Sequence, residues 1–202
     1  MSKVSIITAG EAAALVGDSM TVTTSGFVAS DMPEALSKAL EQRFLETGSP
    51  RDLTLFYAAA QGNRDGSGAD HFAHEGMTKR VIGGHWNMVP LLGRMVLENK
   101  IEGYNLPQGT LSQLFRDIAA HRVGTITHVG LNTFADPRIE GGKLNSITTE
   151  DLVEVVSILG EEKLLYKSFP IDIAFIRGTY SDENGNITME HEVASLESTS
   201  IA

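Results

Sequence analysis

Gln108 sits where chemistry is most easily built in this sequence, inside the run Tyr104-Asn105-Leu106-Pro107-Gln108-Gly109-Thr110-Leu111. A primary amide donates N–H groups without carrying a charge or titrating. That suits an oxyanion that exists only during reaction and that a lysine would hold too tightly. Ile101 to Leu106 reads as a strand, and Leu111, Leu114, Phe115 and Ile118 then recur at helical spacing. The period thus switches from about 2 to about 3.6 residues across Pro107-Gln108-Gly109. Thr110 with Gln113 fits a capping box, which puts Gln108 and Gly109 just outside a helix N-terminus, near unpaired N–H groups and the positive end of the helix dipole. Pro-Gln-Gly is compatible with any strand-to-helix connection, so a glutamine that only completes a turn is the alternative.

Other groupings carry less. His71, His74 and Glu75, with His85 nearby, place possible ligands on one helix face, but the order is not His-Glu-x-x-His and no third-ligand motif follows. They read as surface or turn-capping histidines, and no metal site is expected. Ser25-Gly26-Phe27 lacks the Gly-x-Ser-x-Gly elbow of a hydrolase, and no glycine-rich loop carries the Lys and Ser or Thr of a phosphate cradle. The pairs Glu161-Glu162 and Asp182-Glu183 lie in polar turns and read as solvated.

The elements that must position these residues repeat one pattern. Met20 to Thr24 is a β-branched run ending in Ser25-Gly26-Phe27. Asp31 and Glu34 can box the start of a helix with the stripe Leu36, Ala39, Leu40 and Phe44, which Gly48, Ser49 and Pro50 stop. A second strand, Leu53 to Tyr57, ends in small and polar residues that include Gln61 and Gly62. Val81 to Trp86 leads through Gly83-Gly84-His85 into a helix bearing Val89, Leu92, Met95 and Val96. With the Gln108 crossover these make four successive units, which predicts an open, mostly parallel α/β sheet with flanking helices. Glu11 to Val16 reads as a short helix before them, and Thr125 to Leu131 as a further apolar run after them. The pattern then changes: Val153–Leu159, Lys163–Phe169 and Ile171–Arg177 leave little room for helices, and Asp182 to Asn186 is a hairpin-type turn, so some added antiparallel β structure is expected near the C-terminal end. Ligands of such sheets bind beyond the carboxyl ends of the strands, so Gly26, Gln61, His85 and Gln108 should share one rim.

Composition bounds the rest. The 202 residues suit one domain, and the apolar fraction of 42% with 20 glycines is that of a soluble globular α/β protein. No run approaches the roughly 20 apolar residues of a membrane span, and the first residues lack the apolar segment of a secretory signal. With no Cys there is neither a disulfide nor a thiol nucleophile, in keeping with a cytoplasmic origin. A net charge of −10, with 16 scattered Lys and Arg, argues against nucleic acid as a partner. Glu192 to Ala202 begins what reads as a capped helix and stops before any stripe forms, so residues 1–202 are expected to be one domain truncated at its C-terminal end.

Taken in order, Thr24-Ser25-Gly26-Phe27 with Pro33-Glu34-Ala35-Leu36, Gln61-Gly62-Asn63-Arg64-Asp65-Gly66, Gly84-His85-Trp86, Tyr104 to Leu111, Thr133 to Arg138 and Gly141-Gly142-Lys143-Leu144-Asn145 resemble the family I CoA-transferases, especially those acting on propionate, acetate and lactate. The likeness continues through Arg177-Gly178-Thr179-Tyr180 to Glu197-Ser198-Thr199-Ser200. Each motif alone is weak; their number and order make the resemblance specific. It implies CoA transfer between acyl-CoA and short-chain carboxylates by a ping-pong route through a glutamyl-CoA thioester, with coenzyme A as a substrate and no other cofactor. It implies that Gln108 is the oxyanion donor and that Ser25, Gly26, Phe27, Gln61, Gly62, His85, Trp86 and Gly109 line the substrate site. The family's nucleophilic Glu lies in a glycine-rich context for which this chain has no match. The resemblance therefore implies the N-terminal portion of such an enzyme, which needs a C-terminal half or complementary chain, forms a homo-oligomer and is inactive alone. A non-catalytic module that binds CoA, a carboxylate or a partner is the alternative.

Overall fold

Thr8 opens the first element. Its hydroxyl accepts the Glu11 N–H while the Glu11 carboxylate accepts the Thr8 N–H, and this reciprocal cap starts α1 (Ala9–Ala14). In the computed structural model, which describes residues 4–193, there follow β1 (Thr21–Thr24), α2 (Glu34–Thr47), β2 (Leu53–Phe56), a 3-10 turn (Gly68–Phe72), β3 (Thr78–Gly83), α3 (Pro90–Leu97), β4 (Glu102–Asn105) and α4 (Gln108–Ala119). Then come β5 (Gly124–Thr127), β6 (Val153–Ile158), β7 (Glu161–Lys167), β8 (Ile173–Phe175) and a small hairpin of β9 (Tyr180–Ser181) and β10 (Ile187–Thr188). The expectation of a helix beginning near Glu192 falls mostly on residues 194–202, outside the described residues.

The main sheet has the order β4-β3-β2-β1-β8, and every pairing in it is parallel. The expected mostly parallel α/β sheet is therefore present. Its residues alternate between two cores, as the pleat requires. Leu53, Leu55, Tyr57 and Val81 pack with Leu40, Leu92 and Val96 of α2 and α3 on one face. Phe56, Ala58, Ile82 and Tyr104 pack with Leu111, Leu114 and Phe115 of α4 on the other. That second face is closed by an antiparallel sheet, β5-β7-β6, which contributes Val153, Leu164 and Tyr166.

Three local readings need correction. The Asp31–Glu34 capping box does not form: Pro33 occupies the cap position without a side-chain bond, its carbonyl accepts the Leu36 and Ser37 N–H groups, and Asp31 lies outside the helix at φ 61°. Nor does the Thr110–Gln113 box form. Pro107 precedes α4 in the same way, so Gln108 and Gly109 are the first two residues of the helix and Thr110 is buried within it. In both cases the proline φ already suits the entry to a helix, and its missing N–H costs nothing there. Finally, the run Ile171–Arg177 does not join the antiparallel structure. Its core, β8, returns to the parallel sheet beside β1, with Val22, Thr23 and Thr24 against Ile173, Ala174 and Phe175.

Candidate active site

Because the five strands run the same way, the loops after β1, β2, β3 and β4 leave one edge of the sheet, and contacts between them make that edge continuous. The Val28 N–H donates to Ala60 O at 3.1 Å and the Gly62 N–H to Val28 O at 2.9 Å, which ties the β1 loop to the β2 loop. A Cβ on Gly62 would come within 2.5 Å of Met88 O, so only glycine lets the β2 loop meet the β3–α3 loop. Gly84 N–H donates to Ala58 O, Leu106 N–H donates to Gly83 O, and the Gly84 Cα faces the Gln108 backbone at a distance where a Cβ would be 2.8 Å from Gln108 Cα. Gly26, Gln61, His85 and Gln108 thus stand along one rim.

Their side chains have different fates. Gln61 is 1% exposed and its amide is engaged at both ends: Oε1 accepts the Thr24 hydroxyl at 2.5 Å and Nε2 donates to Thr24 O at 2.6 Å. It clamps the ends of β1 and β2 together. Ser25 is also buried, its hydroxyl accepting the Arg177 N–H at 3.0 Å while its own N–H donates to Phe175 O, so it fastens β1 to β8. Phe27 and His85 are exposed, and Gly109 has open space about it. The Gln108 side chain, half-buried at the first position of α4, is tied to no hydrogen-bonding group among the described residues. Of the two rim glutamines one is engaged and one is free.

Gly84, which packs against Gln108, also borders a cleft of about 400 Å³. Its floor is Gly84, His85 and Trp86 of the β3–α3 loop, one wall is Gly93, Val96 and Leu97 of α3, and the other is Asn105 with Leu144. The Trp86 ring leans on Tyr57 with centroids 6.3 Å apart, and both the indole Nε1 and the Tyr57 hydroxyl are buried without a partner. Leu144 is brought in by backbone bonds from Asn105 N–H to Gly142 O and from Leu144 N–H to Gly103 O. Asn145 secures the same loop, its side-chain amide donating to Val96 O and Ile101 O at 2.7 and 2.8 Å. The α3 wall and Leu144 were not legible as site residues. Nothing local in the sequence joins Gly84 to Leu144, and the helical stripe of α3 gives no sign that Gly93 faces a void.

The electrostatics of the rim are built from one buried carboxylate, Asp70, and two partly exposed ones, Glu34 and Glu41. Asp70 accepts the Leu91 and Leu92 N–H groups at 3.1 Å, capping α3 from the 3-10 turn; burial nonetheless pushes its carboxyl above the usual range. Burial, with the Asp70 charge adding to it, pushes the Tyr57 hydroxyl up as well. His71 and His74 meet on one carboxylate, that of Glu41, and His71 is buried, not on the surface. His71 lies between Glu41, 2.6 Å from Nδ1, and Glu34, 2.6 Å from Nε2, and His74 Nε2 is 2.7 Å from Glu41. Glu34 also accepts the Gly68 N–H, which links α2 to the rim loop. Among the described residues no group of three or more His, Cys, Asp or Glu is arranged to hold a metal ion. Nor is any described helix long and apolar enough to cross a membrane.

The strand-end loops of the parallel sheet thus converge on the N-terminus of α4, and residues 6–202 match the coenzyme A transferase family. The chain belongs to that family. It is 45% identical over 186 residues to a caffeate CoA-transferase of Acetobacterium woodii, a match that takes in 92% of this chain and 36% of the relative. The crystal structure of the acyl-CoA transferase YdiF of Escherichia coli O157:H7, a thioester complex with CoA, superposes with a TM-score of 0.93 at 37% identity, over 98% of this chain and 42% of that one. The alpha subunit of an acetate CoA-transferase of Escherichia coli K12 is 29% identical over 93% of this chain and 76% of its own length. The chain spans less than half the length of the first two.

Proposed function

We propose that this chain is the N-terminal portion of an acyl-CoA:carboxylate CoA-transferase acting on short-chain acids of the propionate, acetate and lactate class. The observation that carries the reading is the Gln108 amide, unengaged at the first position of α4, where Gln108 packs against a glycine that borders a cleft, in a chain of this family. When a nucleophile adds to the thioester carbonyl, negative charge gathers on the carbonyl oxygen. An N–H of Gln108 donates to that oxygen, and the positive end of α4 adds to the effect. The nucleophile we assign is a glutamate supplied by a C-terminal half or complementary chain. It takes the acyl group from CoA as a mixed anhydride, the CoA thiolate then attacks the glutamyl carbonyl, and the first carboxylate leaves. The glutamyl-CoA thioester passes CoA to the incoming carboxylate by the reverse steps. The relative found as a separate alpha subunit supports completion by a second polypeptide.

The test is CoA transfer from acetyl-CoA to propionate, measured with this chain alone and again after the complementary portion is added. Turnover should require both. In the completed enzyme Gln108→Ala should lower kcat by roughly 10²–10³, the effect of losing one oxyanion donor. Unchanged turnover in that variant would leave Gln108 a turn residue.

A further inference from the structure

We propose that the cleft along α3 receives the acyl tail of the substrate and accepts chains and rings well beyond propionyl, so that the size of the acid is read by this half of the enzyme. The inference rests on the transferase reading for the identity of its ligand and on the cleft itself for its size.

The cleft is bordered by Gly84, which packs against Gln108, and by Gly93, Val96 and Leu97 along one turn of α3. Its volume of about 400 Å³ lies within the roughly 300–1,000 Å³ of pockets that enclose whole drug-sized ligands, and a propionyl group would leave most of it to water. Much of the lining is apolar: the Trp86 ring, buried Val96, and Leu97 and Leu144, which are 79% and 40% exposed with nothing covering them among the described residues; Asn105, whose buried Oδ1 has no hydrogen-bond partner among the described residues, is polar. Large apolar side chains left open in one place mark a binding groove.

The chemistry of the lining selects between the two ends of an acyl-CoA. No lysine or arginine borders the cleft, and His85 is its one titratable residue, so nothing there answers the phosphates at the far end of the CoA arm. A hydrocarbon tail needs no partner of that kind. An anionic carboxylate would sit at the Gln108 end, where the dipole of α4 favours it, with its tail toward Leu97. Gly93 supplies the control on size. A Cβ built on it meets nothing within 4 Å, so the void at this point is set by the missing side chain and not by a neighbour that needs the room.

Trp86 is the only tryptophan in the chain, so its fluorescence reports occupation directly, without any assay of transfer. The 202-residue chain is titrated with acetate, propionate, hexanoate and 3-phenylpropanoate, and separately with pantetheine. Each buried methylene is worth roughly a fourfold gain, so hexanoate, with four more methylenes than acetate, and 3-phenylpropanoate should perturb Trp86 at concentrations lower by roughly a hundredfold or more. Gly93→Leu fills the groove and should abolish that preference. In the enzyme completed by its second half, the same variant should lower the ratio of kcat/KM for 3-phenylpropanoate to that for acetate by roughly tenfold to hundredfold. A thermal melt shows whether the variant is folded. Equal response to all four acids, a Trp86 response to pantetheine but not to the acids, or an unchanged kcat/KM ratio in the folded variant would each overturn the proposal. Size-graded binding with no CoA transfer would remove the transferase reading and leave the cleft standing; transfer confined to acetate and propionate would do the reverse.

Discussion

Gly84→Ala tests whether α4 is positioned by contact with the β3 loop. The new methyl carbon would lie 2.5 Å from Ala58 O, 2.8 Å from Gln108 Cα and 3.0 Å from Gln108 Cβ, all closer than the 3.4 Å at which ordinary contact begins. Ala58 cannot retreat easily: it is fully buried, and its carbonyl accepts the Gly84 N–H at 3.1 Å. The first turn of α4 is the freer side, since Gln108 is only half-buried and Gly109 is exposed. The helix start must therefore shift by most of an ångström, carrying the Gln108 amide with it. A displacement of that size at a catalytic group costs roughly 10²-fold in rate, and the overpacking itself costs about 1–3 kcal/mol. The melting temperature of a chain this long falls by roughly 2–4 °C for each kcal/mol. The assay is kcat for CoA transfer in the completed enzyme, with thermal denaturation alongside. Gly93→Ala is the control for stability: it places the same methyl on a helix where nothing lies within 4 Å, and it should be neutral or stabilising by up to about 1 kcal/mol. Wild-type kcat and melting temperature in Gly84→Ala would refute the argument that backbone contact at this glycine fixes Gln108.

Other expectations concern the supports of the rim. Gln61→Leu keeps the volume but leaves the Thr24 hydroxyl and carbonyl without their partner in a buried place, and should destabilise the chain by about 1–3 kcal/mol in chemical denaturation; a loss under about half a kcal/mol would mean that the clamp contributes little. For His71, burial works against the charged form, but the hydrogen bonds and charges of Glu34 and Glu41 outweigh it and hold the imidazolium above its ordinary 6.5. That contribution is fully present below 6.5 and is lost as pH rises through the raised value. Glu41 is buried against its charge too, yet His74 and His71 lower it from 4.5, so its share is present above 4.5 and is lost in more acid solution. The melting temperature should thus fall on the alkaline side of 6.5 more steeply than in His71→Asn, and parallel profiles would exclude the clamp. The chain alone, with the outer edge of β8 and Leu159 unpaired by any described strand or neighbour, should self-associate on sedimentation and lose that tendency when its complementary portion is added.

The order of strands and helices was legible because their apolar spacing is regular. The stripe Leu36, Ala39, Leu40 and Phe44 is α2, and Leu111, Leu114 and Phe115 are the buried face of α4. Capping was less legible: both expected boxes had the right residue types, but a proline directly before the first helical residue had already set the helix entry. The partner of β8 was hidden because a strand names its own residues and not its neighbour; the Asp172 carboxylate accepting the Thr21 N–H joins positions far apart in the chain. The same holds for the cleft, whose lining comes from the β3–α3 loop, α3, the end of β4 and the loop at Leu144. Gln61 and Ser25 stand on the expected rim, but sequence gives no direction to a side chain, and theirs turn inward to the strand ends.

That inward turn bears on how a free amide is held in place. An oxyanion donor is useful only if its N–H groups are unsatisfied before the charge appears, so it cannot be fixed by hydrogen bonds to its own side chain. Gln61 shows the other solution, an amide fixed at both ends. For Gln108 the positioning has to come through the backbone. The Pro107 carbonyl accepts the Leu111 N–H, Gly84 packs on Gln108 Cα, and the buried stripe of α4 holds the helix to the sheet. The rim is therefore rigid where side chains are engaged, at Thr24, Ser25 and Gln61. It is close-packed without side chains at Gly62 and Gly84, and it leaves one amide free where the packed backbone meets the open cleft.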